Sequence, residues 1–134
     1  MSSFPSAVFA GAVLYAKDLD RLAAFYEGLL EVRVTDSAPT HRVLESAATR
    51  LILHAIPAEF AASIEIATPP ALREDATTKL MLQVRSLAAT RSSAAALGGG
   101  VFSPQREWVY GGFRVCDGFD PEGNVVQFCE VVSG

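Results

Sequence analysis

The chain predicts an α+β fold of two βαβββ modules, module 1 over about residues 8–56 and module 2 over about 76–132, joined by a connector over about 57–75. Three observations lead there. An apolar stretch followed by a helix N-cap residue occurs twice, as Val8–Tyr15 before Asp18 and as Thr77–Val84 before Ser86. An offset of 68 residues lays Asp18 and Leu19 on Ser86 and Leu87, Leu14 on Leu82, Ala12 on Leu80 and Leu29 on Leu97. An offset of 75 lays "RLILH" on "VVQFC", so that Leu51 meets Val126 and Leu53 meets Phe128. The repeat is one of pattern and not of identity, and it sets the architecture before any single motif is weighed.

The elements follow in order. "VFAGAVLY" is apolar and small enough for a strand, and "KDLD" after it supplies the cap Asp18. In "LDRLAAFYEGLLE" the residues Leu19, Leu22, Phe25, Tyr26, Leu29 and Leu30 recur at three and four, which gives a helix one apolar face. "VRVT", "HRVLES" and "RLILHAI" are strand candidates parted by "DSAPT" and "SAAT". Pro57 and Pro69-Pro70 break the pattern in the connector. "TTKLMLQV" then begins the second module, "LAATRSSAAAL" forms its helix from Ser86, and "GGG" at residues 98–100 supplies a left-handed stop. "REWVYG", "FRVCD" and "NVVQFCEVV" complete it. The last two are joined through "DPEGN", which has Pro and Gly placed for a turn.

Composition bounds the partners. The 134 residues suit one compact domain, and half of them are hydrophobic, so a packed core is expected. A net charge of -4, a pI near 5.1 and no run of Lys or Arg argue against nucleic acid or an anionic membrane as partner. The first twenty residues lack both a basic start and an unbroken apolar run, so no signal peptide or membrane span is expected and the cytoplasm is the expected location. Cys116 and Cys129 form no C-x-x-C pair and no Cys/His metal spacing. If residues 119 and 125 flank the last turn, 116 stands opposite 128 and the two cysteines lie on opposite faces, as reduced, space-filling thiols.

"YAKDLDRLAAFYEGLLEV" and "DGFDPEGNVVQF", at opposite ends of the repeat, resemble the vicinal oxygen chelate superfamily, which includes glyoxalase I, extradiol dioxygenases and the bleomycin and fosfomycin resistance proteins. The resemblance runs from about Val8 to Val131, with Glu31 standing where the family often has a helix-ending Gly. It implies modules whose strands curl into a mixed sheet around a cleft, the glyoxalase/bleomycin-resistance-like fold, commonly in a homodimer. In the family's enzymes it also implies a divalent metal on four side chains, from the first and last strands of each module. Those positions here are Gly11, Ile52, Lys79 and Gln127. Gly11 and Ile52 have no donor, and Lys79 would have to lose a proton first, so only Gln127 could contribute, weakly. A shift of one residue brings Ala10, Ala12, Leu51, Leu53, Leu80 and Val126, which are no better. No metal and no cofactor are expected.

Residues in phase with these four positions face the cleft, and the alternate residues face the helices. The helix-facing set is Ala12, Leu14, Leu51, Leu53, Leu80, Leu82, Val84, Val126 and Phe128. The cleft-facing set is Gly11, Val13, Tyr15, Ile52, His54, Lys79, Met81, Gln83, Val125, Gln127 and Cys129, with Val115 and Asp117 across the hairpin. A mixed concave surface of this kind suits a small molecule. Lys79 reads as an anion anchor or a Schiff-base nucleophile, or else as the partner of an acid such as Asp117 or a solvated amine. His54 reads as a general base or as a hydrogen-bonded histidine at a strand end. His41 reads as solvated. Asp117 and Gln127 stand opposite each other and can bond each other or a ligand. Trp108 and Tyr110 are cleft walls, a gate, or core aromatics. "EFAASIEIATPPALRED" covers one cleft mouth or serves as an interface arm.

Serine-hydrolase, zincin and P-loop motifs are absent, and "LGGGVF" has the wrong element order for a dinucleotide loop. The leading reading is a metal-independent small-molecule-binding protein, expected as a homodimer, that sequesters a planar or amphipathic ligand. Tyr15, Met81 and Trp108 supply apolar contact, and His54, Lys79, Gln83, Asp117 and Gln127 complete the ligand-binding set. Two alternatives stand beside it: a glyoxalase-type lyase or isomerase with Lys79 or His54 as catalytic base, and a dimerisation or interaction protein with a vestigial cleft.

Overall fold

A computed structural model describes residues 6–132. The first sheet holds β1 (Ala12–Ala16), β2 (Arg33–Ala38), β3 (His41–Glu45) and β4 (Arg50–Ala55), in the order β1-β4-β3-β2. The second holds β5 (Leu80–Gln83), β6 (Gly100–Val101), β7 (Trp108–Tyr110), β8 (Phe113–Phe119) and β9 (Val125–Val131), in the order β5-β9-β8-β6, with β7 also on β8. Helix α1 (Leu19–Leu29) follows β1, a single turn α2 (Ala58–Ala61) follows β4, and α3 (Leu87–Ala96) follows β5. Among the described residues no helix is long and apolar enough to cross a membrane.

The predicted repeat is visible in the register. Ala12 pairs with Leu51 and Leu14 with Leu53 in the parallel β1·β4 ladder, while Leu80 pairs with Val126 and Leu82 with Phe128 in β5·β9. Both long helices start on their predicted caps: Asp18 Oδ1 accepts from the Arg21 amide at 3.2 Å, and Ser86 Oγ from the Ala89 amide at 3.1 Å. Gly98, at φ 89°, supplies the left-handed exit from α3. The last hairpin has the predicted register, with Phe119 opposite Val125 and Cys116 opposite Phe128.

Two expectations change. β2 continues through Asp36, Ser37 and Ala38, where a loop was expected, because a bulge between Val34 and Asp36 lets the strand keep pairing with β3. The edge strand of the second sheet is interrupted: β6 and β7 pair with successive parts of β8 and are separated by a 3-10 turn at Pro104–Arg106. Pro104, which has no amide donor, starts that turn.

The helix-facing prediction is met by burial. Leu51, Leu53, Val126 and Phe128 join Leu22, Phe25 and Tyr26 of α1 and Leu87 and Ala94 of α3 in one apolar cluster shared by both sheets. Each large side chain in it contributes on the order of 1.5–3 kcal/mol. The two halves are also joined by polar contacts at the "DPEGN" turn. The fully buried Asp120 accepts from the Glu122 and Asn124 amides, from Asn124 Nδ2 at 2.8 Å and from the Tyr26 hydroxyl at 2.7 Å. Glu122, also buried, accepts the Lys17 and Asp18 amides at 2.9 and 2.8 Å at the start of α1, where the helix dipole favours a carboxylate. Gly123, at φ 85°, lies against the Ala71 carbonyl of the connector and leaves no room for a Cβ.

Burial pushes the Asp120 carboxyl above its usual range despite those four donors, and it pushes the Tyr26 hydroxyl up as well. Replacing Tyr26 by Phe is expected to cost about 1.5–3 kcal/mol, because a buried carboxylate oxygen loses a donor; urea unfolding measures it. The folded protein holds the Asp120 proton to higher pH than the unfolded chain does. The stability tied to that proton is therefore full below the unfolded value near 3.9 and is lost as pH rises through the folded one. A carboxyl carbon titration by NMR should place Asp120 above the ordinary aspartates.

Candidate functional site

Alternation puts three rows of side chains on the open face of the second sheet. Gln127 of β9 stands between Met81 of β5 and Asp117 of β8. In the next row Gln83, Cys129, Val115 and Trp108 are successive neighbours. Toward the turn, Val125 stands opposite Phe119. Lys79, just ahead of β5, donates from Nζ to Asp117 Oδ2 at 2.8 Å. Asp117 Oδ1 is buried and takes no hydrogen bond from any described residue.

A recess of about 220 Å³ lies at this end of the sheet. Lys79, Asp117 and Val125 meet the connector there, at Leu72–Glu74, together with Ala76 and Thr78 at the start of module 2 and with Phe102 and Arg106 of the interrupted edge strand. Phe102 is half-buried, its ring 6.1 Å from that of Phe119, and the Arg106 guanidinium sits 4.0 Å above the Phe102 ring centre. The interruption is itself held in place. Arg91 of α3 donates to the Phe102 carbonyl at 2.9 Å and pairs with Glu107 at 2.7 Å.

The predicted ligand-binding residues do not all converge. Lys79 and Asp117 share this recess, whereas Met81 and Gln83 line a larger one of about 810 Å³ between the end of α1, the β3–β4 turn and the start of α3. Gln127 lies between them and makes no direct hydrogen bond with Asp117. Tyr15 and His54 form a pair on the first sheet, ring centres 5.8 Å apart. His54 Nδ1 lies 2.9 Å from the Ala55 carbonyl, a contact that requires Nδ1 to carry the proton and leaves Nε2 as the free ring nitrogen. Trp108 and Tyr110 are exposed on an edge strand, so the core reading of these aromatics does not hold.

Other positions depart from expectation. Val115 and Cys129 are buried although they fall on the cleft-facing side of the register. Both thiols are free, and burial pushes each of them up. His41 is partnered: it is half-buried next to His54 across β3·β4, and its Nε2 is 2.9 Å from Asp36 Oδ2. Sequence reasoning missed Phe102 and Arg106, whereas Leu72–Glu74 belong to the segment expected to cover a cleft mouth or to serve as an interface arm. The available signal was Ser103-Pro104, a turn dipeptide inside a strand pattern.

The glyoxalase-like domain family model matches residues 11–129. The chain belongs to the glyoxalase-like domain family. Solved structures share its fold at low identity. A glyoxalase/bleomycin resistance protein/dioxygenase family enzyme from Burkholderia phytofirmans PsJN matches at 16% identity and TM-score 0.66, over 92% of this chain and 98% of that one. A bleomycin resistance determinant encoded on the transposon Tn5 matches at 18% and 0.59, over 95% and 100%. A genomically encoded fosfomycin resistance protein from Listeria monocytogenes matches at 14% and 0.64, over 96% and 96%. No curated protein matches the chain.

The superfamily's metal does not suit the residues that this glyoxalase-like protein has at the four expected positions. Gly11 lies so close to the Arg50 carbonyl that a Cβ would clash with it, Ile52 is apolar, and Lys79 is committed to Asp117. Among the described residues no three His, Cys, Asp or Glu form a group that could hold a metal ion. The His41 hydrogen bond holds the exposed Asp36 carboxyl below its usual value. Its stabilising effect is thus present above the unfolded pKa and lost as pH falls through the folded one. His41→Ala is expected to return the Asp36 titration to the ordinary aspartate range, as followed by NMR.

Proposed function

We propose that this protein is a metal-independent small-molecule-binding member of its family that holds an amphipathic ligand on the open face of the second sheet. One observation carries the reading: at the four positions where the superfamily's enzymes hold a metal, this chain has Gly11, Ile52, Lys79 and Gln127, and the single charge among them is paired with Asp117. An ammonium and an amide orient polar ligand groups without acting as Lewis acids. Apolar contact comes from Met81, 63% exposed, and from Trp108. Exposed apolar side chains at this density favour a covering partner as well as a ligand, and a homodimer is part of the proposal.

The purified protein is expected to carry substoichiometric metal by elemental analysis and to keep its Tm in EDTA. Stoichiometric Ni, Zn, Fe or Mn removed by the chelator with a fall in Tm would overturn the reading. A ligand at a hundredfold excess over its Kd should raise Tm by roughly 5–10 °C, and Lys79→Ala should reduce that shift. The panel includes bleomycin and fosfomycin, compounds named for the resistance proteins of the same fold. Light scattering behind a sizing column tests the dimer.

A lyase or isomerase reading has one observation in its favour, the free Nε2 of His54 beside Tyr15. Turnover of a dicarbonyl panel that His54→Gln abolishes, with ligand binding intact, would replace the binding reading by the catalytic one.

A further inference from the structure

We propose that the small recess selects a compact carboxylate bearing an O–H or N–H donor beside its acid group, a 2-hydroxy or 2-amino acid with an apolar side chain. This rests on the binding reading and names its ligand class. The recess holds one unused group of each kind that such a molecule needs. Arg106 brings a planar guanidinium that stacks over the Phe102 ring and makes no ion pair with any described residue. A guanidinium in that position offers two parallel N–H donors to a carboxylate. Asp117, which lines the recess, has in Oδ1 an acceptor without a donor that is closed to solvent; a turn of the carboxylate lets a ligand hydroxyl or ammonium reach it and relieves a state that ordinarily costs about 1–3 kcal/mol.

The charges favour an anion with a donor over either a plain anion or a cation. Arg73, Lys79 and Arg106 line the recess against Glu74 and Asp117. Lys79 and Asp117 neutralise one another, and Arg73 spends its Nε on the Glu122 carbonyl at 3.1 Å. Phe102, Leu72 and Val125 supply the apolar wall. At about 220 Å³ the space lies below the roughly 300–1,000 Å³ of a drug-sized site, so it takes a small acid or the acid end of a longer compound. The site is also preorganised, because the Arg91–Glu107 pair fixes the turn that presents Arg106.

The test is calorimetric titration of the full chain with four related probes: 3-phenyllactate and phenylalanine, which carry both groups, 3-phenylpropionate, which lacks the donor, and 2-phenylethanol, which lacks the acid. At least one of the first two is expected to bind about tenfold or more tightly than either of the others. The preference between phenyllactate and phenylalanine tells whether the donor is hydroxyl or ammonium. Arg106→Gln, an exposed change that leaves the fold intact by circular dichroism, should erase the advantage of the acids over the alcohol. Equal binding of acids and alcohol, or an acid advantage unchanged in Arg106→Gln, overturns this inference while the binding reading stands. Binding of none of the four, together with no melting shift across neutral, cationic and anionic compounds, overturns both.

Discussion

The turn at Asp120–Asn124 grips helix α1, and the relation of the two sheets depends on that grip. A buried carboxylate is tolerated only when its lone pairs are satisfied, and Asp120 meets that demand with four donors, one of them the Tyr26 hydroxyl from the other half of the chain. Glu122 adds two bonds to the amides that open α1. The connector then closes over the turn. Lys17 Nζ donates to the Ala61 and Ile64 carbonyls, and the Arg73 amide donates to Gly123 at 2.9 Å. A sequence that reads as a generic reverse turn is therefore a tertiary lock. Its rigidity sets where the recess lies, since Leu72–Thr78 form one wall and β8 and β9, which enter and leave the turn, form the floor.

With the apolar positions of both sheets turned to α1 and α3, the opposite faces carry little structural obligation. That freedom lets the open face of β5, β8 and β9 hold Lys79, Asp117 and Gln127 without weakening the core. It also explains why the ion pair there is modest as a stabiliser. Lys79 and Asp117 are 43% and 23% exposed, so solvent screens the pair, and its value lies in fixing two polar groups in place.

Much of the framework was legible because several local signals agree. Asp18 and Ser86 are caps in sequence and in structure, and the 68- and 75-residue offsets reappear as equivalent parallel ladders. The alternation that assigns Leu51, Leu53, Val126 and Phe128 to the core needs only strand geometry. The site was less legible because its walls come from irregular backbone. Phe102 and Arg106 belong to the segment between two short strands, and Leu72 to an irregular stretch of the connector beyond α2, so no periodicity points to them. His41 was misread for a related reason. Its partner Asp36 lies beyond a bulge, and a bulge leaves no mark in an alternation count.

Lys79 is where the family resemblance and the chain's own chemistry meet. It occupies a position at which the superfamily's enzymes place a metal ligand, and it brings one fixed positive charge to the cleft in place of a donor. A metal ion polarises the oxygens it binds and lowers the pKa of bound water. An ammonium offers three hydrogen bonds and a charge already matched by Asp117, so it can orient an oxygen but supplies little of the Lewis acidity. Recovering a metal site would take more than exchanging Lys79 for a histidine. Gly11 has no space for a side chain against Arg50, and Ile52 and Gln127 would both have to change. Four substitutions, one of them at Gly11 with a backbone shift, separate these residues from the four-ligand site that the resemblance implies.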